Sequence, residues 1–126
     1  MGEVSLGTVY EINKNLMRRE SMLSRPALAN KLKLVKNFFL KNNKYFMLLC
    51  HEQRDYTVFI INAVTEEAGD NAIQNLKECL INRGEVLSID YAPGDQKAFE
   101  IWIRGDAGEP FCYYLFPYDS AVIEGE

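Results

Sequence analysis

The chain has 126 residues, 48% apolar and 25% charged, a composition that excludes a disordered polymer and fits one globular domain able to bury an ordinary core. Its net charge of −4 is unevenly spread: residues 1–54 carry ten Lys/Arg against four Asp/Glu, about +6, and residues 55–126 carry four against fourteen, about −10. Such a split either gives the surface a field with direction, suited to docking on a charged partner, or lets the two halves fold together and neutralise each other.

In chain order, Thr8 to Ile12 alternates like an edge strand but also leads into Leu16, Met17 and Leu23 as a helix would, so residues 1–23 stay open between the two. A helix follows: Ser24 is a cap, Pro26 suits a first turn, and Leu28, Leu32, Val35 and Phe39 recur at 3.6-residue spacing up to Asn42-Asn43. Leu34 and Leu40 fall on its polar side and need a cover, for which the N-terminal segment folding back is preferred over a partner or a second copy. Lys44 to His51 and Tyr56 to Ala63 read as a hairpin around Glu52-Gln53-Arg54-Asp55. With Cys50 opposite Thr57, both of its faces are apolar, which places the pair centrally in a sheet.

Thr65 caps a second helix with Glu66 and Glu67 in its first turn, a buried stripe of Ala72, Ile73, Leu76, Cys79 and Leu80, and a stop at Gly84. Val86 to Tyr91 and Ala98 to Arg104 form a second hairpin around Ala92-Pro93-Gly94-Asp95, and Phe111 to Phe116 is a fifth strand after the turn at 105–108, ended by Pro117. The predicted fold is a single α+β domain over residues 1–126: helix, hairpin, helix and three strands in a largely antiparallel sheet of about five, with helices packed on it and a loose acidic tail at 120–126.

The chemistry-bearing residues are scattered. Cys50 and His51 point to opposite faces of a strand and make no dyad, and Cys50, His51, Cys79 and Cys112 lack the C-x₂-C pairs of a zinc site, so neither catalysis, nor a metal, nor a cofactor is expected. Glu100, Trp102 and Arg104 share one strand face, where stacking and hydrogen bonding suit a ligand and an Arg104–Glu100 surface pair beside a half-exposed tryptophan is the simpler reading. With Tyr113, Tyr114 and Tyr118 of the dense aromatic run at 111–118, they are the predicted anchors of a protein-binding surface. Arg18, Arg19, Lys33, Lys36 and Lys41 form the predicted basic surface, steering an acidic partner. Arg25, Lys31 and Lys44 extend it in the alternative reading, a nucleic-acid or nucleotide binder, although no helix-turn-helix, RNP or phosphate-loop pattern accompanies them.

The longest apolar runs, Tyr45 to Cys50 and Thr57 to Ile61, fall far short of the roughly 20 residues that span a bilayer. Met1-Gly2-Glu3 opens no secretory signal, and Leu6 stands where myristoylation wants Ser or Thr. Three widely spaced cysteines are unlike a disulfide framework and predict reduced thiols in a cytoplasmic protein.

Across Lys44-Tyr45-Phe46-Met47-Leu48-Leu49-Cys50-His51-Glu52-Gln53-Arg54-Asp55-Tyr56 the chain resembles small uncharacterised cytoplasmic proteins of Gram-positive bacterial genomes and mobile elements. The resemblance brings no activity and no site residues; it implies a protein that works by binding other macromolecules. The expectation is therefore a small binding or regulatory module without enzymatic activity, acting on another protein or on a second copy of itself.

Overall fold

The computed structural model describes residues 6–42, 45–50, 56–59, 65–92 and 95–118, and shows a single α+β domain. Its elements are α1 (Leu6–Met17), α2 (Arg25–Asn42), β1 (Tyr45–Cys50), β2 (Tyr56–Phe59), α3 (Glu66–Arg83), β3 (Glu85–Ala92), β4 (Asp95–Arg104) and β5 (Pro110–Tyr118). The strands form one antiparallel sheet in the order β2-β1-β5-β4-β3. The sequence left residues 1–23 open; the structure makes Leu6–Met17 a helix.

The caps act as their chemistry predicts. The Ala27 amide donates to Ser24 Oγ (3.2 Å) at the start of α2, and the Ala68 amide donates to Thr65 Oγ1 (3.1 Å) at the start of α3. At the end of α3, Gly84 takes φ 147°, and a Cβ there would lie 2.2 Å from the Arg104 carbonyl oxygen, so only glycine lets β3 begin this close to β4.

Strand alternation divides the apolar side chains between two faces. On one, α2 and α3 cover Phe46 and Leu48 of β1, Phe99, Ile101 and Ile103 of β4, and Tyr113 and Leu115 of β5, with Leu32, Val35, Phe39, Leu76 and Leu80 pressing down from the helices. Phe38 sets its ring edge-on against Phe46 and Phe99, at 5.9 and 5.2 Å between centroids. On the other face α1 covers a smaller group: Leu87, Trp102 and Cys112 are buried, with Tyr10, Met17 and Tyr114 packed around them. A β-bulge between Val86 and Ser88 turns Leu87 under α1 while Val86 stays in the larger core.

Four expectations are corrected. The β1–β2 hairpin is not central: β2 lies at the sheet edge and β1 beside it. Leu48, not Cys50, stands opposite Thr57; a shift of two residues preserves parity, so Phe46, Leu48, Cys50 and Thr57 still share a face. The opposite face is apolar because Met47 and Leu49 stand in register with Phe116 and Tyr114 of β5. Leu40 is covered by α3, where Gly69 leaves room for its side chain, and not by the N-terminal segment, which lies across the other face of the sheet. Pro117 does not end β5; it lies past the last β4 pair, Phe99 with Leu115, where β1 alone flanks the strand.

The charge asymmetry resolves into internal pairing. Lys14 and Arg18 reach Glu109 (3.8 and 3.2 Å), Lys31 reaches Asp90 (2.6 Å), and Lys36 reaches Asp70 (2.8 Å) and Glu66 (3.7 Å). Each joins a cation of the basic half to an anion of the acidic half. Exposed pairs of this kind contribute about 0–1 kcal/mol apiece, so their weight lies in neutralising the field more than in holding the fold.

Candidate functional site

The predicted anchors converge only in part, and mostly out of solvent. Trp102 is 2% exposed, buried where Glu100, Trp102 and Arg104 alternate on the face beneath α1. The Tyr10 ring stacks on it at 5.4 Å with 26° between planes. The indole Nε1 donates to Glu100 Oε1 at 2.7 Å, satisfying a donor that burial would otherwise strand. Glu100 thus pairs with Trp102, not with Arg104. Trp102 is therefore a core residue of the α1 face, not the half-exposed anchor expected of it.

Arg104 is a helix clasp. Its Nη2 donates to the carbonyls of Met17 (2.9 Å), Arg18 (3.0 Å) and Glu20 (2.6 Å), at the end of α1 and in the turn after it, while Nη1 meets Glu85 Oε2 at 3.4 Å. A guanidinium there also suits the negative end of the helix dipole.

Tyr113 lies on the opposite face, buried, with the Arg83 guanidinium over its ring at 5.4 Å. Arg83 also donates from Nη2 to Thr57 Oγ1 (3.0 Å) and from Nη1 to the Cys79 carbonyl (3.2 Å), tying the end of α3 to the edge strand. Tyr114 stays with Trp102, half-buried under α1 beside Cys112. Burial, more than any neighbour, raises the proton affinity of both the Cys112 thiol and the Tyr114 phenol, with the Glu100 charge adding to it. Tyr118 closes β5 in register with Tyr45. The five anchors whose side chains are described, Glu100, Trp102, Arg104, Tyr113 and Tyr114, therefore belong to both faces of the sheet and form no single surface.

The basic residues divide likewise. Arg18 and Arg19 are exposed at the end of α1, whereas Lys33 and Lys41 are exposed on α2, across the sheet. Lys36 is occupied: its hydrogen bond to Asp70, and the nearby Asp70 and Glu66 charges, raise its pKa above the ordinary lysine value. Cys50 is buried in the larger core, on the opposite face from Cys112. His51 lies outside the described residues. Among the described residues no His, Cys, Asp and Glu gather as metal ligands, and no helix is long and apolar enough to cross a membrane.

What sequence reading missed is the outward side of α1. Ile12 and Leu16, one turn apart, are 52% and 62% exposed, and Met22 beyond them is 59% exposed, with the exposed Arg19 between. The signal was present as the i, i+4 spacing of Ile12 and Leu16 opposite the i, i+7 spacing of Tyr10 and Met17, but it emerges only once the segment is known to be helical. Comparison with known protein families, with curated proteins and with solved structures finds no match to this chain.

Proposed function

We propose that the chain is a small protein-binding module that docks an acidic, partly apolar protein segment on the outward side of α1 and the turn after it. The observation that supports this reading is the exposure of Ile12, Leu16 and Met22 beside the exposed Arg19, while the neighbouring cations Lys14 and Arg18 meet Glu109 of the same chain. Apolar groups give such a contact its affinity, and Arg19 selects an acidic approach. The contact needs neither Trp102 nor Tyr113, which belong to the fold.

The test is capture from a bacterial lysate with the wild-type chain and with Leu16→Asp, followed by titration of the purified partner. Leu16 is 62% exposed, so the substitution empties no core space and costs about 1 kcal/mol, through lower helix propensity and a carboxylate at the negative end of α1. A partner that binds at least about 30-fold more weakly to Leu16→Asp, and more weakly at higher salt, supports the reading. Equal binding by both chains refutes it. Nuclease-sensitive nucleic acid retained by both would favour the basic-helix alternative, and a dimer in sedimentation equilibrium that Leu16→Asp dissolves would replace the acidic partner with a second copy.

A further inference from the structure

The two faces of the sheet are unequally filled. Among the described residues sixteen are buried in the core under α2 and α3, and three, Leu87, Trp102 and Cys112, under α1. Opening free energies within one fold follow this kind of difference, because a unit with little buried apolar area separates at less cost than the rest. α1 has 12 residues and no acidic group in its first turn, and a helix of that length is marginal without a surface to rest on. Polar tethers hold its C-terminal end: the Arg104 clasp on three carbonyls, and the pairing of Lys14 and Arg18 with Glu109. The chain just beyond is pinned to the edge of β3, where the Leu23 amide donates to the Val86 carbonyl at 2.8 Å.

We propose that α1 is a hinged cover with Arg104 as its catch: it opens from the sheet as a unit, uncovering Leu87, Trp102 and Cys112, while the strands, α2 and α3 stay folded. The pivot lies between Glu20 and Leu23, after the clasped carbonyls and before the pinned amide. In the closed state the Trp102 face is satisfied from within; in the open state an indole, a carboxylate and a thiol stand together at the surface, available to whatever displaces α1. The cover works whether or not the outward side of α1 binds a partner, and its test involves no partner.

Cys112 is the reporter, since it is buried in the closed state. Native protein is exposed to iodoacetamide at pH 8 and each cysteine is followed by peptide mass, with rates divided by those of the urea-unfolded chain. The half-exposed Cys79 modifies early and is read separately. The expected result is a protection of Cys112 at least about tenfold below the global unfolding constant, with a shallower urea dependence, and a further loss of about tenfold in Arg104→Gln, the weight of charged hydrogen bonds to the clasped carbonyls. Should that variant fail to fold, Glu109→Gln removes only exposed pairs and lowers protection about two- to threefold. Protection of Cys112 equal to the global constant, with the same urea slope in wild type and variant, overturns the proposal.

Discussion

Replacing Gly84 with Ala tests the tightest junction in the molecule. At φ 147° an L-residue is held in a region it rarely enters, at a cost of about 1–3 kcal/mol. The added Cβ would also sit 2.2 Å from the Arg104 carbonyl oxygen, whereas real Cβ contacts essentially never fall under 3.0 Å, so the gap must open by at least 0.8 Å (3.0 minus 2.2). That atom is backbone and has no rotamer to retreat into. The move pulls Arg104 from its pairing with Glu85 at the end of the β3–β4 ladder and from the α1 carbonyls, weakening hydrogen bonds that contribute about 1 kcal/mol each. The sum is about 3–5 kcal/mol, which for a domain of this size lowers Tm by about 10–20 °C. Urea and thermal unfolding followed by far-ultraviolet circular dichroism measure it. A loss below about 1 kcal/mol would show that neither the backbone conformation nor the close approach constrains the fold.

Trp102→Ala should cost about 3–5 kcal/mol in urea unfolding, because it empties the space between Tyr10, Leu87 and Cys112 and leaves the Glu100 carboxylate without its indole donor; a loss under about 1 kcal/mol would return Trp102 to the role of a surface anchor. Alkaline pH should destabilise the protein in two stages. Burial first, and then the Glu100 charge, raises the folded-state pKa of Cys112, so from about pH 8.5 the unfolded chain loses a proton that the folded chain keeps, and stability falls as pH rises. Lys36 is raised by its hydrogen bond to Asp70, so its contribution is whole below the ordinary lysine value of 10.5 and is lost as pH climbs through the higher folded-state value. In urea midpoints measured against pH, Cys112→Ala should flatten the first stage and Lys36→Met part of the second, which it shares with the Tyr114 phenol, raised by burial above its ordinary value of 10.0; unchanged slopes would dismiss both assignments.

Local signals in the sequence located most elements. Ser24 and Thr65 capped the helices they were read to cap, Gly84 ended α3, and the strands read at Val86 to Tyr91 and Ala98 to Arg104 lie within β3 and β4, which pair as the expected hairpin. Long-range placement was not legible. An apolar stretch on both faces reads as a central strand, yet β2 is an edge and β1 owes its second apolar face to β5, which is distant in sequence and adjacent in space. Thr8 to Ile12 alternates like a strand, but one turn of helix puts Ile12 outward and Tyr10 on Trp102. The site was misjudged for a related reason: Glu100, Trp102 and Arg104 do share a face, as strand parity requires, but a sequence does not say that α1 lies over it. Arg104, read as a surface pair with Glu100 beside the tryptophan, meets carbonyl oxygens of its own chain and Glu85 instead.

The position of β5 in the sheet has a consequence for biosynthesis. Among the described strands it is the last in chain order and lies between β1 and β4, so the two hairpins have no ladder in common until it is inserted. On the ribosome the early hairpin and the β3–β4 pair must wait, each with one apolar edge open, for a strand made last. At about 5–20 residues per second, the roughly 70 residues from β1 to the end of β5 take about 4–14 s to make, a window in which those edges invite association between nascent chains. Truncations that remove β5 should therefore yield two unjoined hairpins and inclusion bodies, whereas loss of α1 should leave a sheet that closes.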